Sequence, residues 1–281
     1  MSAQQICSGA MSDFSRTLIE RSGYESEDFA DLYNRYRLAP PRELLDILTL
    51  VAEAERPRLV VDLGAGTGLS TRVWAERAER VIGVEPNAHM VERARRATQE
   101  SNVDYVEAYA ADTGLGGVDA DIVACAQAFH WMEPDPVLVE AAGLLRPGGV
   151  FAAYDYDVPP VIHPEVDASF ADHLAARRAA RKRLDLQAGA ESWPKEMHLV
   201  RIRESGRFRF AREIVCHGFD EADAGRIIGL AESLGGPRGI FGDAAPEVGE
   251  TFERLRDTTK RVVGNRMRPI VVCYRIRVGV K

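Results

Sequence analysis

The chain of 281 residues lacks the features of a disulfide scaffold, a zinc protein or a membrane protein. No two of its four cysteines form a C-x-x-C pair, so neither a disulfide framework nor the usual zinc spacing is present. No apolar run approaches the ~20 residues of a transmembrane helix, and the first residues contain no signal-peptide core. We expect a cytoplasmic protein without bound metal, with its cysteines reduced.

The sequence also lacks a strong excess of basic residues. Lysine and arginine number 36 against 43 acidic residues, which gives a net charge of −7 and disfavours a nucleic-acid partner. Basic residues are concentrated at 177–183, where five of seven positions are cationic. Such a run is most often a solvated helix face, although it could bind a phosphate backbone or an acidic substrate.

The most informative stretch is Leu59–Ser70, in which a valine-rich run ends at Asp62 and is followed by Gly64, Gly66 and Gly68. A helical pattern begins at once, so the stretch predicts a strand, a tight turn and a helix. Glycine tolerates positive φ and lets a ligand lie against bare backbone. Ligands of open parallel sheets bind beyond the carboxyl ends of the strands.

The glycine spacing narrows the choice of ligand. A dinucleotide fingerprint needs a third glycine where this chain has Leu69, which disfavours a nicotinamide-dependent oxidoreductase. No Gly-Lys-Ser/Thr follows, so a P-loop is excluded. The motif Asp62-Leu-Gly-Ala-Gly-Thr-Gly68 closely resembles motif I of the class I S-adenosylmethionine (SAM)-dependent methyltransferases.

A second acid supports a cofactor site. Glu85 ends the predicted strand 80–85, about 20 residues beyond the glycine turn, where a carboxylate accepts hydrogen bonds from both hydroxyls of a ribose. The resemblance adds four further contacts. It implies that Asp112, with the backbone at Thr113, binds adenine, and that Tyr33 and Arg37 reach the SAM carboxylate. The alternative is that these residues are turn, core or surface positions.

The loop after strand four is the candidate site of methyl transfer. Its run Ala128-Phe-His-Trp131 is similar to the trans-aconitate methyltransferase group of small-molecule enzymes. His130 is a candidate general base because imidazole titrates near neutral pH, or it fixes the loop. The aromatic and sulfur-containing residues near this tip predict a partly apolar substrate pocket, lined by Phe129, Trp131, Tyr154, Trp193 and Met197.

The alternation of strands and helices predicts an α/β fold: a Rossmann-like, seven-stranded, mostly parallel sheet with a helical cap inserted after strand five. We expect a helical lid at 1–56, a cofactor-binding core at 57–157, a cap at 158–206 and a part completing the sheet at 207–281. Strand six is predicted at 207–215 and a helix at 220–234. The alternation of Arg275 and Arg277 with apolar residues predicts a last strand with one wet face, away from the centre of the sheet.

The resemblance implies transfer of the SAM methyl group by in-line displacement to an oxygen or nitrogen of a small molecule, leaving S-adenosylhomocysteine. Two alternatives remain open within the same fold. One is an RNA or other nucleic-acid methyltransferase that uses the basic run at 177–183. The other is a SAM-binding protein without transfer activity, whose cofactor motifs would look the same.

Overall fold

The computed structural model describes residues 27–184, 192–234, 241 and 244–281. Within these residues seven strands form one sheet in the order β3-β2-β1-β4-β5-β7-β6. They are β1 (Leu59–Leu63), β2 (Arg80–Glu85), β3 (Val103–Glu107), β4 (Ala120–Ala126), β5 (Leu145–Tyr156), β6 (Phe210–Ala222) and β7 (Arg268–Val280).

Helices occupy most of the connections between the described strands. They are α1 (Glu27–Tyr36), α2 (Arg42–Val51), α3 (Leu69–Arg72), α4 (Ala88–Ala97), α5 (Pro134–Leu144), α6 (Pro164–Arg183), α7 (His198–Glu204), α8 (Ala224–Ser233) and α9 (Pro246–Val262). Short 3₁₀ helices cover Phe129–Trp131 and Lys195–Met197. Side-chain caps explain where two helices begin: Asn87 accepts from the amides of His89 and Met90, and Asp223 accepts from that of Arg226.

The first five strands run parallel, and β7 then pairs antiparallel with β5. The amide of Arg209, just before β6, bonds to Val280 at the end of β7, and Glu213 bonds to Arg277, so β6 runs antiparallel to β7. The strand order reverses between β1 and β4. The carboxyl ends of these two strands therefore flank the position where open α/β sheets bind ligands.

The described residues fall into two compact units. The first, here called the sheet unit, comprises 39–157, 192–218 and 273–281. Its core consists of the apolar residues of β1, β4 and β5, which are buried on both faces as parallel strands require. Phe129, Phe151 and Phe208 add aromatic packing to this core.

The second, here called the helical unit, contains the described parts of 1–38, 158–191 and 219–272. Its helices pack in pairs, α1 with α8 and α6 with α9. The buried His173 lies 3.2 Å from the Thr251 hydroxyl, and burial lowers the pKa of His173 to about 4. A neutral His173 therefore joins α6 to α9. None of the helices among the described residues combines the length and apolarity that crossing a membrane requires.

The predicted fold class is confirmed, since the sheet has seven strands, is mostly parallel and alternates with helices. Two details of the sequence analysis are wrong. Strand β6 runs to Ala222, so the following helix begins at Ala224 rather than at Asp220. The wet face predicted for the last strand does not include Arg277, which is buried because it pairs with Asp155 and Glu213, whereas Arg275 is exposed. Strand β7 itself lies between β5 and β6, away from the centre of the sheet as predicted. Residues 1–26 of the predicted helical lid lie outside the described residues.

Two glycines of α8 provide a matched test of packing in the helical unit. A Cβ added at Gly229 would lie 2.5 Å from carbons of the Tyr36 ring, whereas at Gly225 its nearest contact would be 3.4 Å away. We expect Gly229→Ala to lower the free energy of unfolding by about 1–3 kcal/mol through overpacking. Gly225→Ala should raise it by up to ~1 kcal/mol, because alanine favours the helix. Urea denaturation checks both, and equal effects of the two substitutions would contradict this packing.

Candidate functional site

The glycine turn between β1 and α3 is shaped by three positive φ angles, +74° at Gly64, +55° at Gly66 and +77° at Gly68. A Cβ added at Gly64 would lie 2.6 Å from the Ala128 Cβ and 2.7 Å from the Met132 Cε, so the loop after β4 packs directly on this turn. A Cβ added at Gly66 would meet no described atom within 4 Å. The turn is therefore closed on the Gly64 side and open above Gly66, where a ligand could contact the backbone.

Asp62 supports this turn from below. Its carboxylate is fully buried, and its Oδ2 accepts from the hydroxyls of Ser70 (2.6 Å) and Thr71 (2.7 Å) on α3. Burial raises the pKa of Asp62 to about 6, although the two hydroxyl donors act in the opposite direction. The buried Oδ1 has no hydrogen-bond partner among the described residues. Such an oxygen is a candidate contact for a ligand donor or cation.

Glu85 lies at the carboxyl end of β2, and one of its two carboxylate oxygens bonds to the turn. Oε2 accepts from the Gly66 amide and Oε1 from the Asn87 amide, both at 3.0 Å. These bonds fix the carboxylate and leave part of its accepting capacity, because an ionised carboxylate offers about four lone-pair positions. Burial raises the pKa of Glu85. The arrangement suits a ligand that offers two adjacent hydroxyl donors.

The segment after β3 contains Asp112 and Thr113, which behave differently. Asp112 is exposed and closes a small turn with Tyr109. Thr113 is buried, and its amide and hydroxyl both donate to Oε1 of Glu140, at 3.0 and 2.5 Å. The carboxylate of Asp112 is accessible from solvent, whereas the groups of Thr113 that bond to Glu140 fix the loop.

The loop after β4 carries the candidate base. Gln127 adopts a left-handed conformation, with φ of +54°, and its amide donates to the Tyr154 carbonyl at 2.9 Å. The 3₁₀ turn that follows buries Phe129 against Phe151 and leaves the side chain of His130 12% exposed. Trp131 packs beside the imidazole, with 4.7 Å between ring centroids. The sharp turn at Gln127 thus directs Phe129 into the core and keeps His130 near the surface.

A charged cluster, in which Lys195 and Arg277 are the members that sequence reasoning missed, lies beside this loop. Asp155, near the end of β5, is 6% exposed. Its Oδ1 lies 2.6 Å from Lys195 Nζ and 3.8 Å from His130 Nδ1, and its Oδ2 accepts from Arg277 at 3.2 Å. The sequence places these four residues in segments up to 147 positions apart, and no local pattern connects them. The carboxyl end of β5 was the available signal, because ligands of parallel sheets bind at that edge.

The segment 192–197 holds the other candidate pocket residues. The Trp193 amide donates to the His130 carbonyl at 2.7 Å, and Lys195 Nζ donates to Gln127 Oε1 at 3.1 Å. The Trp193 ring lies beneath the Arg201 guanidinium, 4.8 Å away, and Met197 is 41% exposed. Two contacts therefore attach this segment to the loop that carries His130. Tyr154 is almost completely buried.

The remaining predicted cofactor residues belong to the helical unit. Tyr33 lies on α1, and its side chain is outside the described residues. Arg37 follows that helix, and its Nη2 donates to the Ser233 carbonyl at 3.0 Å. In the basic run, Arg177 lies over the Phe241 ring, burial lowers its pKa to about 10, and Arg183 pairs with Glu247. At least two of the five cations in the basic run, Arg177 and Arg183, therefore make contacts within the helical unit.

The raised pKa of Asp62 predicts a specific dependence of stability on pH. The folded protein holds the proton more tightly than the unfolded chain, whose ordinary value is 3.8. The stability that protonation contributes is thus present below about pH 4 and lost as the pH rises through about 6. Asp62→Asn cannot ionise, so its stability relative to the parent should rise by on the order of 3 kcal/mol between pH 4 and pH 7.5.

Urea denaturation of both proteins at pH 4, 6 and 7.5 measures this difference. Asp104→Asn is the control, because Asp104 is an exposed strand residue paired with Arg80. If the difference in the free energy of unfolding between Asp62→Asn and the parent stayed constant across this pH range, ionisation of Asp62 would not destabilise the folded protein, and the prediction would be wrong.

Comparison with known proteins assigns a family to the sheet unit. Residues 61–153 match the model of a methyltransferase domain. An uncharacterized methyltransferase of Mycobacterium tuberculosis strain H37Rv is 38% identical over 117 residues, which are 42% of this chain and 46% of that protein. The probable S-adenosylmethionine-dependent methyltransferase CRG1 of Saccharomyces cerevisiae is 28% identical over 148 residues, half of each chain. The chain thus spans about half the length of the curated relatives it matches.

A solved structure of a candidate type II methyltransferase from Anaeromyxobacter dehalogenans matches over a wider region. Its TM-score is 0.63 at 28% identity, and the match covers 87% of this chain and 98% of that one. The Haemonchus contortus phosphoethanolamine N-methyltransferase 2, solved with S-adenosylhomocysteine, shares the fold at a TM-score of 0.54 and 15% identity, over 96% of this chain and 59% of that one.

The open backbone at Gly66, the fixed Glu85 carboxylate and the unpaired Asp62 oxygen fit SAM, which offers ribose hydroxyls and cationic groups. The family match, the relatives and the shared fold agree with this chemistry. Residues 61–153 therefore form a class I SAM-dependent methyltransferase domain, whose cofactor is S-adenosylmethionine.

Proposed function

We propose that this chain methylates an oxygen or nitrogen atom of a small-molecule acceptor. One observation carries the proposal: the glycine turn is open above Gly66, while Glu85 is anchored beside it through that same residue's amide. This arrangement provides a backbone surface and a diol acceptor within one short stretch. A glycine turn that merely joined a strand to a helix would not need either feature.

The chain's own residues divide the task of holding the cofactor. When bound, SAM supplies a sulfonium-activated methyl group. Glu85 would accept from the ribose hydroxyls, and Asp62 would face a donor or cation with its remaining oxygen. The adenine contact of Asp112 and Thr113, and the carboxylate contacts of Tyr33 and Arg37, remain predictions from the family resemblance.

The acceptor side of the proposal rests on the loop 127–132, which packs on the glycine turn at Gly64. His130 is the candidate base on this loop, and Trp131 lies beside it. Trp193 and Met197 extend the same surface with aromatic and sulfur-containing area. A pocket of this composition suits an acceptor with an apolar body. The predicted lining roles of Phe129 and Tyr154, which are both buried, remain predictions.

Several finer assignments also remain proposals. Membership of the trans-aconitate methyltransferase group rests on the resemblance at Ala128–Trp131, and the division into lid, core, cap and C-terminal part rests on the sequence. A cytoplasmic location remains an expectation. A nucleic-acid substrate is less favoured, because two cations of the basic run have partners within the helical unit.

Thermal unfolding with S-adenosylhomocysteine tests the cofactor site, with NAD as the control ligand. At 100 times its dissociation constant a ligand adds about 2.7 kcal/mol to the free energy of unfolding. For a chain of this size that corresponds to a rise in Tm of roughly 5–10 °C. We expect this shift with S-adenosylhomocysteine and none with NAD.

A pair of variants locates the effect. Glu85→Ala should abolish most of the shift, because the diol acceptor is lost. Glu107→Ala is the matched control, since Glu107 is exposed and aligned with Glu85 on the neighbouring strand β3, and it should retain the full shift. If Glu85→Ala also retained the rise in Tm, the ribose hydroxyls of the ligand would bind at a residue other than Glu85. A parent protein that binds S-adenosylhomocysteine can then be screened for methyl transfer to phenols, amines and small acids.

A further inference from the structure

The charged cluster beside the loop 127–132 contains more groups than cofactor binding requires. Its carboxylate, Asp155, contacts three groups that come from different elements: Lys195 from the 3₁₀ turn, Arg277 from β7 and His130 from the loop. All of them belong to the sheet unit. The loop also packs on the glycine turn, so the cluster lies on the same framework as the proposed methyl-transfer site.

The two oxygens of Asp155 have different partners. Oδ2 faces the buried guanidinium of Arg277, whose Nε donates to Glu213 at 2.8 Å, so this side is a fixed structural pair. Oδ1 is shared by Lys195 Nζ at 2.6 Å and His130 Nδ1 at 3.8 Å. Because the carboxylate faces Nδ1, the neutral imidazole with its proton on Nδ1 would leave Nε2 able to accept one.

The charged groups near His130 lie on several elements of the sheet unit. Asp155 is anionic, whereas Lys195 and Arg277 are cationic, and Glu213 balances Arg277 from β6. His198 on α7 packs its ring against Phe129, 4.8 Å away, and burial together with Arg277, Arg201 and Lys195 lowers the pKa of His198 to about 3. His198 is therefore neutral, and Arg275, which pairs with Asp157, also lies 3.7 Å from Glu213.

We infer that Asp155 is a positioning residue that holds His130 as a proton acceptor, with Lys195 offsetting the charge of Asp155 in the resting site. This inference rests on the proposed methyl transfer. The acceptor's O–H or N–H bond breaks, its electron pair stays on the oxygen or nitrogen as the nucleophile, and the proton moves to His130. Asp155 then stabilises the imidazolium. Without Lys195, the carboxylate would favour the imidazolium before the substrate arrived.

The arrangement indicates a substrate class. A carboxylate acceptor is already ionised at neutral pH, so its oxygen needs no base before it attacks. A hydroxyl, a phenol or an ammonium group arrives with a proton that must leave before the atom can attack. The site therefore selects acceptors of this protonated kind.

Proton NMR titration of His130 tests the inference without a known substrate. Protein labelled with ¹³C at histidine Cε1 gives one signal per histidine, and His130→Ala assigns the signal of interest. We expect Lys195→Met to move the midpoint of this titration to higher pH by about one unit, because a cation is removed. Asp155→Asn should move it to lower pH by a similar amount, because the anion is lost.

Opposite shifts are the distinguishing result, since structural disturbance alone would not produce them. Lys195 is 37% exposed at its side chain, so Lys195→Met tests the inference even if Asp155→Asn does not fold. Asp157→Asn is the matched control, because Asp157 lies two residues along the chain and pairs with the exposed Arg275. It should leave the His130 midpoint unchanged. Unchanged midpoints in both test variants, or shifts in the same direction, would overturn the inference.

The same samples separate this inference from the proposed function. Addition of S-adenosylhomocysteine to the parent and to Lys195→Met should raise the Tm of both equally. If neither responds, the proposed function fails, whatever the titration shows. If both respond while the His130 midpoint ignores Lys195 and Asp155, the methyltransferase proposal stands and the positioning role of Asp155 fails.

Discussion

The hydrogen bonds of the buried Asp62 determine the geometry of the whole cofactor region. This carboxylate ends β1 and binds two hydroxyls at the start of α3, so it fixes the glycine turn that lies between them. Glu85 then binds the same turn from the neighbouring strand, and the loop with His130 packs on it at Gly64. A substitution of Asp62 would therefore disturb the carboxyl ends of β1, β2 and β4 together. Burial of this acid destabilises its ionised form, which is a cost that a purely structural residue such as asparagine would not carry.

A different constraint organises the proposed acceptor side. Asp155 is as deeply placed as a core residue, yet it is surrounded by cations rather than by neutral donors. A buried charge needs paired charges or hydrogen bonds to offset its desolvation, and the two partners here lie 40 and 122 positions further along the chain. The pair with Arg277 ties β5 to β7 within the sheet. The pair with Lys195 attaches the segment 192–197, which also bonds to the loop at His130 and Gln127.

Local sequence patterns predicted the parallel half of the sheet well. Strands β1, β2 and β4 are short apolar runs whose ends are easy to locate in the sequence. The glycines that follow β1 and the acid that ends β2 can each be interpreted from the neighbouring residues alone. The predictions failed where tertiary pairing decided the outcome. Arg277 alternates with apolar residues as an exposed residue would, but Asp155 and Glu213 neutralise it inside the sheet. Strand β6 extends to Ala222 because β7 supplies its hydrogen bonds, and periodicity within β6 carries no information about that neighbour.

The partners of Asp62 and Asp155 explain why the sequence predicts the cofactor half of the proposed site but not the charged cluster of the other half. Asp62 is served by hydroxyls eight and nine positions away, so the motif that contains it is compact. Asp155 is served by residues 40 and 122 positions away, so no window of sequence contains its partners. Binding a common cofactor needs a fixed constellation, which suits a short continuous motif. The proposed acceptor side is assembled from distant segments, and two of its charged groups, Lys195 and Arg277, lie outside the glycine turn and the loop that packs on it. A fold that separates its cofactor motif from its acceptor residues in this way can support different acceptors.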